Sequence, residues 1–484
     1  MTRQRVLIVV TLIGLLMISC VFFDRISSTD SPVTDPVAEE PAVDEEPAEQ
    51  PPVEEPPAEI LEIPDSPLSY DGPWWIFSTE EGLYALNPDG SGLTQFYFGP
   101  TNPPYAQHFE ASPGGGTLAY IMGDSYNATL HIFDFSSYTH ISEKELLTFE
   151  SDPGMDAMRA VVEQPSFAFS PDGSTLAFMG AIEGPTSDLY VFSLDTYQTS
   201  RLTDGISQGY QPVWSPDGKY IVHTGVSSFG TGAGAAMSGV WAANASDSDD
   251  VKSLYDPSGS GGETIIGWTD DETFLVYSWD AVCGSGNLRT FNFEGKESEI
   301  IWADSFRAID YDPANEVVVL SSNDGMCAPD GGAGTYLVPT DGKSPLRVLD
   351  ETPSQLAWSA DANLFLASGD FNAWFIAIDS NGQFIDLDMP EGAKGDPAVA
   401  PGSRDLAWHG DALWVGALLG AIENPPQQIF NEPVYNATWT PDGQAIIFFA
   451  DSGLYIAQRP DYTPLLIATG LNNRDGYSGW VMPY

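Results

Sequence analysis

Short apolar runs alternate with turn-forming residues along this chain, and the alternation restarts every few dozen positions. Pro212-Val213-Trp214 leads into Ser215-Pro216-Asp217-Gly218, and Ala437-Thr438-Trp439 leads into Thr440-Pro441-Asp442-Gly443. A further copy, Ser170-Pro171-Asp172-Gly173, is followed by the apolar run Thr175-Leu176-Ala177-Phe178. Proline presets the backbone angle at the second position of a turn, and Asp and Gly suit the positions after it. Glycine also accepts the left-handed conformation that closes a short hairpin. Each tetrapeptide therefore joins two antiparallel strands, which makes the repeat aspartates Asp172, Asp217 and Asp442 turn formers rather than catalysts. A third strand follows a loop of small residues, as in Asp188-Leu189-Tyr190-Val191-Phe192, and a short fourth ends in Arg201-Leu202-Thr203. Four strands per unit are predicted, with no amphipathic helix after the N-terminal segment.

Degenerate copies fill the rest of the chain. Ala111-Ser112-Pro113-Gly114, Trp268-Thr269-Asp270-Asp271, Tyr311-Asp312-Pro313-Ala314, Trp358-Ser359-Ala360-Asp361 and Ala400-Pro401-Gly402 occupy the same turn slot, and the slots recur at intervals of 40 to 58 residues. A four-stranded unit of that size is a propeller blade. The chain ends complement each other. Trp74-Trp75-Ile76-Phe77 has the character of a second strand with no first strand before it, and Gly479-Trp480-Val481-Met482-Pro483 that of a first strand with nothing after it. Joining them completes a blade and closes the ring without exposed sheet edges. The expected fold is all-β, a β-propeller of nine repeat units. Eight blades is the alternative, because the unit from Asp396 to Asn431 is weak.

These phrases resemble the TolB-type, WD-like propeller repeat, in which an aromatic, Ser-Pro-Asp-Gly, an apolar strand, a Tyr-containing strand and Leu-Thr follow one another. The resemblance covers roughly residues 70–484. It implies the fold and leaves function open, since such propellers serve in envelope complexes, as accessory domains of peptidases and as polysaccharide-cleaving enzymes.

The N-terminal region breaks the pattern. Arg3 and Arg5 precede an apolar run from Val6 to Ile18, followed by Ser19-Cys20. A charged start, a short apolar stretch and a small residue form a secretory signal. A cysteine directly after the small residue resembles a bacterial lipoprotein signal, which implies cleavage before Cys20 and a lipid anchor on it. The apolar Val21-Phe22-Phe23 leaves an uncleaved anchor over Val6 to Phe23 open. Residues 1–23 are thus a signal or anchor. Residues 24–67, rich in Pro, Glu, Asp and Ala, cannot offset their ordering entropy and are expected to form an unfolded acidic tether. The propeller occupies 68–484, on the extracytoplasmic side of a membrane.

The chain carries 69 acidic and 17 basic side chains, a formal charge of -52. That balance repels phosphate backbones and excludes nucleic acid as an expected partner. Cys20, Cys283 and Cys327 are too few for a disulfide scaffold and lack zinc-ribbon spacing. Cys283 and Cys327 follow the second strands of neighbouring units, on loops that share a face, so a disulfide between them is expected outside the cytoplasm. The five histidines (His108, His131, His140, His223 and His409) are scattered, and the matching strand positions of His223 and His409 suggest structural roles. No metal site and no cofactor are expected.

Two motifs invite catalysis and lack its context. Gly205-Ile206-Ser207-Gln208-Gly209 fits the serine-hydrolase pattern, which needs a strand before it and a helix after it. Here the fourth strand of one unit precedes it and the first strand of the next follows it. Gly230-Thr231-Gly232-Ala233-Gly234 lacks the Lys-Ser/Thr of a phosphate loop. No catalytic residue is assigned. The long segments Glu150–Gln164, Val226–Gly239, Asp280–Asn287 and Asn323–Gly334 are expected as loops on one face, where binding usually resides. The sequence therefore points to a membrane-tethered propeller that binds or scaffolds a protein or polysaccharide of the cell envelope. A carbohydrate-active hydrolase or lyase on the loop-rich face is the alternative.

Overall fold

A computed structural model describes residues 62–99, 105–123, 127–148, 154–163, 166–228, 235–255, 260–280, 286–293, 301–303, 306–322, 332–359, 364–368, 375–379, 381–386, 391, 398–403, 405–417, 426–471, 473 and 478–483. The chain divides into Met1–Ile60 and Leu61–Tyr484, and every described residue belongs to the second unit. That unit starts before the expected boundary at 68: Ile63 packs against an apolar cluster, and Asn87 Nδ2 donates to the Pro67 carbonyl.

The described strands fall into nine antiparallel sets of four; eight follow chain order across the sheet, and the first takes one strand from the far end of the chain. The first contains Trp74–Thr79, Gly82–Leu86 and Thr94–Phe98, completed by Ser478–Val481 from the far end of the chain. Trp74 lies opposite Val481 and Trp75 opposite Trp480, so the two ends share one sheet, the exchange by which propellers fasten their rings. The second blade holds Tyr105–Ala111, Thr117–Gly123, Ala128–Asp134 and Thr139–Glu145. The third holds Phe167–Phe169, Thr175–Gly180, Asp188–Ser193 and Thr199–Arg201. The fourth holds Gln208–Trp214, Tyr220–Ser228, Ala235–Asn244 and Asp247–Tyr255. The fifth holds Ser260–Trp268, Thr273–Asp280, Gly286–Asn292 and Trp302–Ala303. The weak unit also makes its own four-stranded sheet, with Asp405–His409 and Leu413–Ala417 at its centre.

The three full tetrapeptides build one turn three times. The hydroxyl of Ser170, Ser215 or Thr440 donates to the aspartate two residues on at 2.7 Å. That carboxylate also accepts the backbone N–H of Ser174, Lys219 or Gln444 at 3.0 Å. Gly173, Gly218 and Gly443 hold φ of 71°, 71° and 66°. Every repeat aspartate is occupied by its own turn.

The core lies in the seams. Trp74 and Ile76 of the first blade pack with Leu118 and Tyr120 of the second, while Trp75 and Phe77 pack with Ile447 and Phe449 of the ninth, which holds Val434–Trp439, Ala445–Ala450, Gly453–Gln458 and Thr463–Ala468. A larger cluster joins the second, third and fourth blades through Ile132, Phe178, Tyr190 and Trp214. Strands whose two faces both meet a neighbouring blade become apolar on both faces, which explains runs such as Ile446-Ile447-Phe448-Phe449.

Two of the expected loops need correction. Glu150–Gln164 is not simply a loop: Gly154–Met158 is α-helical and Arg159–Glu163 continues as a π-turn. Ala157, Met158, Ala160, Val161 and Val162 are buried there. At ten residues the segment is too short to display a helical period, and it is held by packing rather than by propensity. Within Val226–Gly239 the described residues are strand, since one strand runs to Ser228 and the next starts at Ala235. The extended hairpin also reaches the fifth blade: Ala235 and Ala236 pair with Gly261 and Ser260, merging two blades into one continuous sheet. Cys20, Cys283, Cys327 and the segment Gly230–Gly234 lie outside the described residues.

Candidate functional site

The seam between the third and fourth blades opens into a cavity of about 480 Å³. The segment Leu202–Gly209, which links the two blades, forms one wall. The starts and ends of strands on the same side form the rest: Ser187 and Asp188 from the third blade, His223 and Trp241 from the fourth. This is the face on which inter-blade links and second-to-third-strand loops emerge, where the sequence pointed for binding.

Asp188 organises the linking segment. Its carboxylate, 2% exposed, accepts Arg201 Nη2 at 2.6 Å, the Gly205 N–H at 3.1 Å and the Thr203 hydroxyl at 3.3 Å. Burial raises the carboxyl above the ordinary range, and the Gly205 N–H and the Arg201 guanidinium pull it back down. Arg201 also reaches Asp204 at 2.8 Å. The neighbouring Ser187 N–H donates to Gln208 Oε1 at 2.7 Å, and the Ser187 hydroxyl donates to the Gly209 carbonyl at 2.5 Å. The linking segment is thus tied down at both ends, and Ile206 stands out at its tip, 95% exposed.

The serine-hydrolase pattern is here, and its geometry is not that of a nucleophile elbow. Gln208 and Gly209 already belong to the strand Gln208–Trp214, where the motif needs a helix. His223 Nδ1 faces the Thr224 carbonyl at 3.2 Å rather than a carboxylate, and Asp188 faces Arg201. No hydrogen bond joins Ser207, His223 and Asp188 among the described residues. Full burial pushes His223 down to about 4, so at neutral pH the ring is uncharged, with Nδ1–H toward Thr224 and a free lone pair on Nε2. Nε2 has no partner among the described residues. The cavity therefore combines an indole, aliphatic walls from Leu202 and Val251, an uncharged imidazole and serine hydroxyls. That is the make-up of a small polar-ligand site.

Two carboxyls on first strands are also perturbed. Glu110 in the second blade accepts the Phe169 N–H at 3.0 Å, and burial pushes it up to about 7. Glu263 in the fifth blade is 2% exposed, has no hydrogen-bond partner on either oxygen among the described residues, and is pushed up to about 8 by burial. The sequence could not single these out from 69 acidic side chains. His409 is a half-buried strand residue whose pKa burial lowers. His131 and His140, which are far from each other in any simple motif, come together with Glu143.

The fold defines the class: a β-propeller built from Ser-Pro-Asp-Gly hairpins. No family model matches the chain. It is similar to an uncharacterized peptidase, YuxL, of Bacillus subtilis (strain 168), at 30% identity over 138 residues, which is 26% of this chain and 17% of that relative. The chain thus spans about a sixth of the curated relative it matches. Among solved structures it is similar to a eukaryotic initiation factor at 13% identity, covering 84% of this chain and 98% of that one with a TM-score of 0.52. That likeness concerns the fold alone. TolB from Acinetobacter baumannii is similar at 17% identity over 58% of this chain and 63% of its own, with a TM-score of 0.32.

Proposed function

We propose that this propeller is a binding or scaffolding module, tethered to a membrane through its N-terminal segment, that holds a glycan end or a similar polar group of the cell envelope in the seam cavity. The observation that carries this reading is the cavity itself. Its buried Asp188 is paired with Arg201, its histidine is uncharged, and its linking segment is fixed by hydrogen bonds. Such a site offers stacking and hydrogen bonds without an assembled nucleophile. The test is binding of the full chain to a panel of envelope polysaccharides, with Trp241→Ala and Ser207→Ala beside the parent. Binding lost in the first variant and kept in the second supports the reading. No binding by the parent, or product formation that disappears in Ser207→Ala, contradicts it.

A second reading, a carbohydrate-active hydrolase or lyase, is favoured by Glu110, a half-buried carboxyl that accepts the Phe169 N–H and is pushed up to about 7, because a carboxyl held protonated near neutral pH is suited to act as a general acid. Chain cleavage of a polysaccharide that is abolished by Glu110→Gln in a normally folded protein supports it.

A further inference from the structure

The two outer strands of the second blade, Ala128–Asp134 and Thr139–Glu145, carry His131, His140 and Glu143. In a regular strand, residues three apart point to opposite faces, so His140 and Glu143 would diverge. The ladder prevents this. Ile132 pairs with Ser142 and Phe133 with His140, which leaves Ile141 as an extra residue in the outer strand. The bulge changes the phase of the strand and puts His140, opposite Phe133, on the same face as Glu143, opposite His131.

The three side chains converge. One donor atom from each lies within 4.8 Å of the other two. Glu143 Oε1 is 3.6 Å from His131 Nδ1 and 3.7 Å from His140 Nδ1, too far for hydrogen bonds. Zinc bonds of about 2.0–2.1 Å place tetrahedral donors roughly 3.3–3.4 Å apart, close to the two Glu143–histidine separations, so adjustment of the exposed His140 and Glu143 side chains seats an ion. The His131 side chain is 8% exposed, and its Nδ1, aimed at Glu143, has no hydrogen-bond partner among the described residues. A buried, unpaired imidazole nitrogen costs free energy that a ligand would recover. The ring cannot swing away: it stacks on Tyr120 at 5.0 Å between centroids and 8° between planes, and meets the edge of Tyr97 at 5.9 Å. His140 and Glu143, 30% and 58% exposed, leave the outer side of the cluster open to solvent.

We propose that His131, His140 and Glu143 form a three-ligand site for a divalent transition-metal ion, Zn²⁺ foremost, with a fourth position open to water or an exogenous donor. Two imidazoles and one carboxylate suit zinc and disfavour Ca²⁺ and Mg²⁺, which take all-oxygen sets. The ion would clamp the outer strand of the blade to its neighbour next to the seam with the first blade.

The test titrates Zn²⁺ into the untagged, metal-stripped full chain, with excess Ca²⁺ present to occupy the acidic surface. One equivalent of zinc is expected, with a raised melting temperature. Co²⁺ should give the visible absorption of a tetrahedral site without the near-ultraviolet thiolate band that Cys20, Cys283 or Cys327 would add. His140→Ala and Glu143→Gln, both at exposed positions, should keep the apo melting temperature and weaken zinc binding about tenfold or more. Absence of zinc binding, a thiolate band, or undiminished affinity in both variants overturns the proposal.

Discussion

The indole N–H of Trp214 donates to the carbonyl of Ala168 across the seam between the third and fourth blades, at 2.9 Å. Trp439 repeats the contact with Ala398 of the eighth blade at 3.1 Å. Each tryptophan stands immediately before its turn tetrapeptide and ends the first strand of its blade. The aromatic that marks the repeat in sequence is therefore also a fastener to the blade before it.

Replacing Trp214 with Phe keeps most of the ring and removes the donor. A cost of about 1–3 kcal/mol is expected, since the hydrogen bond and the better packing of the indole are both lost in a buried seam. Trp439→Phe should behave alike. Urea or thermal unfolding checks both, and unchanged stability in the pair contradicts the fastening role.

The turns also touch from blade to blade. A methyl group on Gly443 would stand 2.3 Å from the Pro401 carbonyl of the preceding turn, whereas one on Gly402 would meet nothing within 4 Å. The two glycines share almost the same backbone angle, φ 66° and 67°. Gly402→Ala should therefore show only the left-handed penalty, about 1–2 kcal/mol, and Gly443→Ala clearly more. Equal melting temperatures for the two variants would show that successive turns do not press on each other.

Glu263 predicts an alkaline weakness. Its carboxyl rises from 4.5 in the unfolded chain to about 8 in the fold, so between those values the folded protein holds a proton that the unfolded chain has lost. The contribution is complete below about pH 4.5 and disappears as pH rises through 8. Glu263→Gln should gain on the parent between pH 5 and pH 9 by on the order of 2 kcal/mol. His223 acts in the opposite sense: lowered to about 4, it adds stability above pH 6.5 that is lost as pH falls toward 4. Melting curves of parent and variant with parallel pH dependence contradict the Glu263 assignment.

Much of the architecture was legible because the repeat is local. Proline, aspartate and glycine dictate a turn wherever they occur, and the isolated strands at Trp74 and Trp480 belong together because an unpaired edge is costly. What the sequence concealed depends on contacts between distant residues. The helical turn at Gly154–Met158 exists because its apolar side chains meet the third and fourth blades. The merging of the fourth and fifth blades rests on two alanine–glycine/serine pairings that no propensity encodes. The seam cavity was half legible: the face was expected from loop positions, but its walls, Asp188, His223 and Trp241, belong to strands and carry no motif. The histidine pair escaped notice for a sharper reason. His140 and Glu143 share a face only because Ile141 bulges, and a bulge cannot be read from alternation alone.

The fastening of the first blade by the last strand is the relationship on which the rest depends, because the seams on both sides of Trp74 and Trp75 hold only if that sheet is complete. Deleting residues 478–484 and following thermal unfolding of the otherwise full chain tests it. Loss of the cooperative transition, or aggregation, is predicted. A truncated protein that melts within about 1 °C of the parent, roughly the shift that a loss of 1 kcal/mol causes in a unit of this size, contradicts the fastened propeller described here.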